Sequence, residues 1–201
     1  MSTPLASQPI GPGFADPVDE ANDVFRLVLK AIAHPGTIVE IAWPTAVPAG
    51  GLGRAAIGLA LALVDFETPI WLDPAAAPAG PHLRFHCNCP IVAEPDQAAF
   101  VFAADPDGLP DLASLSLGSD AYPDQGATLV IEVPAPVAEG PLRLEGPGID
   151  GIARLGVAGL PDGFWDRRAG LAPLFPRGLD LLLTQGDRLV ALPRTTSVRW
   201  S

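Results

Sequence analysis

The chain has 201 residues, 48% of them hydrophobic, enough to bury a substantial core in one domain. Its formal net charge of −11 and pI near 4.5 exclude a surface built for nucleic acid or an anionic membrane, since both need clustered lysine and arginine, but they leave room for a local basic pocket around a small anion. With a single lysine, Lys30, and three histidines, His34, His82 and His86, any Schiff-base or triad chemistry has to use those residues.

Met1–Gly13 is rich in proline and glycine and reads as a flexible arm without a core of its own, leaving residues 14–201 as a single domain. There is no run of eighteen apolar residues, and the N-terminus lacks the basic and apolar regions of a signal peptide, so a cytoplasmic protein is expected. Asp16 before Pro17 marks a helix start with its cap and its missing donor both in place. Val18, Ala21, Phe25, Val28 and Ile32 recur at spacings of three and four and predict one apolar stripe turned to the core. Asp19, Asp23, Arg26 and a solvated Lys30 fall opposite. His34-Pro35-Gly36 stops the helix.

Thr37–Ile41 is a β-branched run that predicts a strand. Leu52–Val64 is almost wholly apolar or small and predicts a buried helix packed closely through Gly58 and its alanines. Pro69–Leu72 reads as a short buried strand. His82-Leu83-Arg84-Phe85-His86-Cys87 alternates polar with apolar residues and predicts a strand that carries His82, Arg84 and His86 on one face. Two imidazoles and a guanidinium in line suit a phosphate, with His86 able to change charge near neutral pH; the plain alternative is the polar outer face of an edge strand. Cys87 and Cys89 are too close for a long-range disulfide and agree with a reducing compartment. A zinc site needs about four ligands, so no metal is expected there.

Glu94–Ala98 predicts a helical turn, Ala99–Ala103 a buried strand, Leu109–Leu117 a short helix and Leu129–Val133 another strand. The loop before Leu129 lacks the order of a nucleophile elbow, which excludes a serine hydrolase of that type. Pro141–Leu144 predicts a strand, and Gly146-Pro147-Gly148-Ile149 a bend without a phosphate-binding lysine after it. Pro161–Leu174 contains a helix start anchored by Phe164, Trp165 and Leu171, with Arg167 and Arg168 exposed. Leu179–Thr184 and Arg188–Leu192, separated by Gln185-Gly186-Asp187, form a hairpin too apolar for a wet face. Pro193 cannot continue a central ladder. It delivers Arg194, Thr195 and Thr196, a guanidinium and two hydroxyls that either hold an anion such as phosphate or cap neighbouring backbone groups. Early alternation of strands and helices followed by clustered strands predicts an α/β domain with a mixed sheet flanked by helices.

Several stretches in register, Gly13-Phe14-Ala15-Asp16-Pro17, Ala33-His34-Pro35-Gly36, Leu83-Arg84-Phe85-His86, Gly126-Ala127-Thr128-Leu129, Gly146-Pro147-Gly148-Ile149 and Phe175-Pro176-Arg177-Gly178-Leu179-Asp180 through Pro193-Arg194-Thr195-Thr196, resemble the PhnH family, a subunit of the bacterial carbon-phosphorus lyase system. The resemblance implies a fold like the large domain of pyridoxal-phosphate-dependent transferases without that cofactor, and a homodimer when the chain is alone. It implies a core complex with the G, I and J subunits that couples an alkylphosphonate to the ribose C1 of ATP with release of adenine, giving alpha-D-ribose 1-methylphosphonate 5-triphosphate. A later radical step breaks the carbon-phosphorus bond, and with two cysteines in total this chain cannot be the radical subunit, whose iron-sulfur cluster needs three nearby thiolates. No catalytic residue carries over from the family. The expected role is structural or assisting rather than independently catalytic, with a phosphonate or nucleotide as ligand. Two alternatives stay open: a free-standing enzyme or binding protein for a small phosphorylated molecule, with His86 as acid or base and Arg84 and Arg194 as anion clamps, and a pure docking module.

Overall fold

The computed structural model describes residues 10–48, 50–134 and 136–200. The first nine residues of the predicted arm lie outside the described residues. Asp16 caps helix α1 (Pro17–Ala33), accepting from the backbone N–H groups of Val18 and Asp19 at 3.2 Å each, and His34 ends it. The remaining helices are α2 (Arg54–Leu63), α3 (Gly80–Cys87) and α4 (Phe164–Gly170).

A six-stranded sheet forms the centre. Its strands are β1 (Ile38–Glu40), β2 (Ile70–Leu72), β3 (Phe100–Ala103), β4 (Thr128–Glu132), β7 (Asp180–Gln185) and β8 (Arg188–Leu192), in the order β1-β8-β7-β4-β3-β2. The neighbours from β7 to β2 run parallel, while β8 pairs antiparallel with β7 and with β1. The mixed sheet expected from the sequence is present, and the β7–β8 hairpin lies inside it, as its apolar content demands. A second sheet, β6-β5-β9, is built from β5 (Pro136–Glu145), β6 (Ala153–Val157) and β9 (Ser197–Trp200) and was not foreseen.

Successive residues of each central strand point to opposite faces, and both faces are buried. Val39, Ile70, Phe102, Val130, Leu182 and Leu189 pack against α1, α2 and α3. Val101, Leu129, Ile131, Leu181, Leu183 and Val190 pack against α4 and the small sheet. The chain is therefore layered as helices, central sheet, then small sheet with α4. Gly58 lets α2 approach the strap after β1, since a Cβ there would lie 2.3 Å from the Trp43 carbonyl oxygen.

Four expectations need correction. The buried face of α1 is Val24, Val28 and Ala31, whereas Val18, Phe25 and Ile32 are exposed. The helix is apolar around much of its circumference, and its narrower side chains fit the close approach to α2 and β8. Residues 82–87 belong to α3 and not to a strand: Pro81 sits in the first turn, and Leu83 and Cys87, four residues apart, face the core. The short helix expected over Leu109–Leu117 is a single turn, Leu112–Ser114. Arg168 is buried, although Arg167 is exposed as expected.

Candidate functional site

In open α/β sheets ligands usually gather at the carboxyl ends of the parallel strands. Here carboxylates of the chain itself occupy that edge. Glu132, the last residue of β4, accepts from the N–H of Gly53 at 3.2 Å, the N–H of Gly186 at 2.8 Å and the Thr184 hydroxyl at 2.7 Å. It thereby satisfies the N–H of Gly53, the residue before α2, while the first-turn amide of Ala55 donates to the Gly186 carbonyl at 2.7 Å. Asp73, just past β2, accepts from the N–H groups of Ala76 at 2.6 Å and Asp105 at 2.9 Å.

The open cavity lies at the other end of the sheet, where the chain enters β7 and leaves β8. It has a volume of about 590 Å³ and is walled by α4, the segment leading into β7, the Arg194–Ser197 strap and β9. Arg168, Arg177, Arg194 and Arg199 line it together with Thr195 and Thr196, and no lining residue among those described is acidic. In a chain with twelve cationic side chains and a net charge of −11, four at one cavity make a pronounced local concentration of positive charge.

Each cation is held differently. Arg194 is anchored by Asp180, which accepts from its backbone N–H at 2.7 Å and from Nη2 at 2.6 Å, while Nη1 donates to the Pro123 carbonyl. Gly126 makes this possible, because a Cβ there would lie 2.4 Å from the Gly178 carbonyl oxygen and 3.0 Å from Arg194 Nη1. Arg177 Nε lies 3.1 Å from Asp120 Oδ1 in poor hydrogen-bond alignment, so the contact is one of charge. Arg199 is exposed and has no ion pair among the described residues.

Arg168 is 9% exposed and meets backbone instead of carboxylate. Its Nη1 donates to the Thr196 carbonyl at 2.9 Å, and its Nη2 to the carbonyls of Pro193 at 2.8 Å and Leu192 at 3.3 Å. Burial pushes this guanidinium down to about 10, with the Asp180 carboxylate opposing the shift. Its Nε and the hydroxyl of Thr196, which is 2% exposed, are buried without a hydrogen-bond partner.

Of the residues picked from sequence, Arg194, Thr195 and Thr196 meet at this cavity. Arg84 and His86 do not join them: α3 packs in the layer of α1 and α2, whereas α4 and the strap lie on the opposite face of the central sheet. On α3 the i, i+4 spacing brings His82 and His86 together, with ring centroids 4.4 Å apart. His82 is buried with neither ring nitrogen bonded, and its pKa is lowered by burial first and by His86 second. His86 Nε2 lies 3.0 Å from the Gly11 carbonyl oxygen, so it clasps the start of the described chain. Cys87 and Cys89 are free and buried, and the Cys87 thiol is pushed up by its contact with Cys89 and by burial.

Arg168, Arg177 and Arg199 were missed by sequence reasoning. For Arg168 a signal existed, since it falls three and four residues after the apolar anchors Trp165 and Phe164 and thus on their face of the helix. An arginine on an apolar face is a group to be satisfied inside the fold. Arg199 carries no such signal, because its position depends on the unforeseen β5–β9 pairing.

Residues 12–199 match the family described as bacterial phosphonate metabolism protein (PhnH). The chain is 39% identical over 194 residues to the alpha-D-ribose 1-methylphosphonate 5-triphosphate synthase subunit PhnH of Rhizobium meliloti (strain 1021), covering 96% of each chain. It is 35% identical over 175 residues to the putative C-P lyase subunit protein HtxG of Stutzerimonas stutzeri, covering 87% of this chain and 83% of that one.

Proposed function

The chain belongs to the PhnH family of bacterial phosphonate metabolism proteins, and from that premise we propose that it is a subunit of a multisubunit carbon-phosphorus lyase system, serving the synthesis of alpha-D-ribose 1-methylphosphonate 5-triphosphate. The observation that carries this reading is similarity over 96% of the length of a relative bearing that name. Its companions are the G, I and J subunits, it pairs with itself when they are absent, and it works in the cytoplasm. The transferase activity belongs to the assembly. The layered α/β core with a largely parallel sheet is consistent with descent from the large domain of pyridoxal-phosphate-dependent transferases.

The residues present do not fit pyridoxal phosphate. Lys30, the chain's single lysine, is exposed in the last turn of α1, so no desolvated amine stands ready for a Schiff base. The N–H of Gly53 at the start of α2 is already bonded to Glu132. The free-standing enzyme built on His86, Arg84 and Arg194 loses its basis, since these groups do not converge.

The test is genetic and biochemical. Deleting the gene is expected to abolish growth on methylphosphonate as sole phosphorus source while sparing growth on inorganic phosphate, and the tagged chain is expected to retain the G, I and J subunits through purification. Unchanged growth on methylphosphonate overturns the reading.

A further inference from the structure

Helix α1 is fixed to the fold by one face and carries a second apolar face outside it. Val24, Val28 and Ala31 are buried, whereas Val18, Phe25, Leu29 and Ile32 are between 42% and 77% exposed. Val18, Phe25 and Ile32 recur every seventh residue and Leu29 falls one turn after Phe25, so the four form one seam along a helix about 25 Å long. Single exposed hydrophobics are ordinary, but a continuous row at this spacing is what a second helix packs against. Asp19, Asp23, Arg26 and Lys30 run along one flank of the seam. Within the helix Asp19 repels Asp23 and Arg26 repels Lys30, since each like-charged pair stands at i, i+4. Arg26 Nε donates to Asn22 Oδ1 at 2.7 Å, and none of the four charges has an ion pair among the described residues. The helix dipole accounts for acids first and bases last, but not for the apolar row beside them.

We propose that two copies of the chain meet on this face, α1 against α1 in antiparallel orientation, about a two-fold axis near Phe25. The pairs Asp19 with Lys30 and Asp23 with Arg26 are both centred on the same point of the helix, between Val24 and Phe25. Turning one copy end for end about that point sets Asp19 beside Lys30 of the second copy and Asp23 beside its Arg26, with the charged flanks on the same side of the seam. The apolar pair Val18 and Ile32 is centred on Phe25 itself, so the same turn lays Val18 on Ile32 of the second copy and brings the two Phe25 rings together at the axis. A parallel arrangement would set like charge beside like charge. Ile32 also walls a notch of about 130 Å³ with Leu181, Ala191 and Pro193, and the antiparallel turn carries Val18 of the second copy towards it. One helix face is smaller than the roughly 800 Å² per partner of a standard interface, so this dimer is expected to come apart on dilution. The surface rests on the self-pairing proposed above and on nothing in the phosphonate chemistry.

The experiment is sedimentation velocity of the purified full-length chain across a dilution series. Wild type is expected to pass from dimer to monomer as it is diluted. Phe25→Glu places a charge at the axis and is expected to raise the dissociation constant about a hundredfold or more, with the circular dichroism of the folded chain unchanged because the position is exposed. Asp23→Arg and Arg26→Asp each set like charges against one another across the axis, and each is expected to raise the constant about tenfold. The double variant restores opposite charges and is expected to return to within about threefold of wild type. A wild-type chain that stays monomeric throughout the series overturns both the surface and the self-pairing. A dimer that Phe25→Glu leaves intact overturns the surface while the self-pairing stands. A dimer broken by Phe25→Glu but not restored in the double charge variant overturns the antiparallel arrangement. The subunit reading is decided separately, by growth of the deletion strain on methylphosphonate.

Discussion

Asp180 and Arg194 lock the two open ends of one hairpin together. Asp180 is the first residue of β7 and Arg194 lies two residues past the end of β8, yet a single carboxylate accepts from the backbone N–H, Nε and Nη2 of the arginine. The strap carrying Thr195 and Thr196 leaves the sheet in a fixed direction because of this clamp.

Asp180→Ala is expected to destabilise the chain by about 2 kcal/mol, less than a fully buried pair would lose because both side chains keep some solvent contact. Asp180→Asn keeps one acceptor for the Arg194 N–H and is expected to lose roughly half as much. Urea unfolding of the two variants separates the charge from the hydrogen bond. Equal losses in both would show that the backbone bond contributes nothing.

Gly58→Ala sets two effects against each other. Alanine is favoured over glycine inside a helix by about 1 kcal/mol, but its Cβ would lie 2.3 Å from a backbone oxygen that cannot rotate away. The clash is expected to prevail, with a net loss of about 1–3 kcal/mol in chemical denaturation. A stabilised variant would mean that α2 slides freely over the Trp43 strap.

His82 predicts an acid-side loss of stability. Burial, then His86, holds its pKa below the ordinary 6.5, so the unfolded chain takes up a proton at a pH where the folded chain does not. This contribution is absent above about pH 6.5 and grows unfavourable as the pH falls from there through the lowered folded value. His82→Leu is expected to flatten the fall in melting temperature between about pH 7 and 5 relative to wild type. Identical slopes in the two proteins would place the acid sensitivity elsewhere.

Glu132→Ala removes the acceptor for two backbone N–H groups and the Thr184 hydroxyl. The expected cost is about 2–4 kcal/mol. Amide exchange at Gly53 and Gly186 is expected to accelerate more than exchange within β3, since those amides lose their partner directly. Uniform acceleration would instead indicate a loss of global stability alone.

Much of the central sheet was legible because its strands are buried on both faces and read as apolar runs bounded by turns: β2, β3, β4 and the β7–β8 hairpin all fall where those runs lie. The small sheet was harder to read. β6 and β9 are four to five residues long and mix arginine, serine and glycine with apolar residues, so neither gives a periodic signal. Residues 82–87 misled because alternation over six residues also fits a helix whose core contacts are Leu83 and Cys87. The strap Arg194–Thr196 was legible as a guanidinium and two hydroxyls at a strand end, and the structure places it at the wall of the cavity. Arg168 and Arg199, which line the same cavity, come from α4 and β9, and only the tertiary fold brings them there.

The Glu132 carboxylate acts as an internal ligand. Because it is tethered to β4, its local concentration at the start of α2 corresponds to about millimolar or more of free anion, held there at no entropic loss on each encounter. It accepts from Gly53 before α2, from Gly186 in the β7–β8 turn and from Thr184 on β7, so one side chain of β4 ties three segments together at that rim of the sheet.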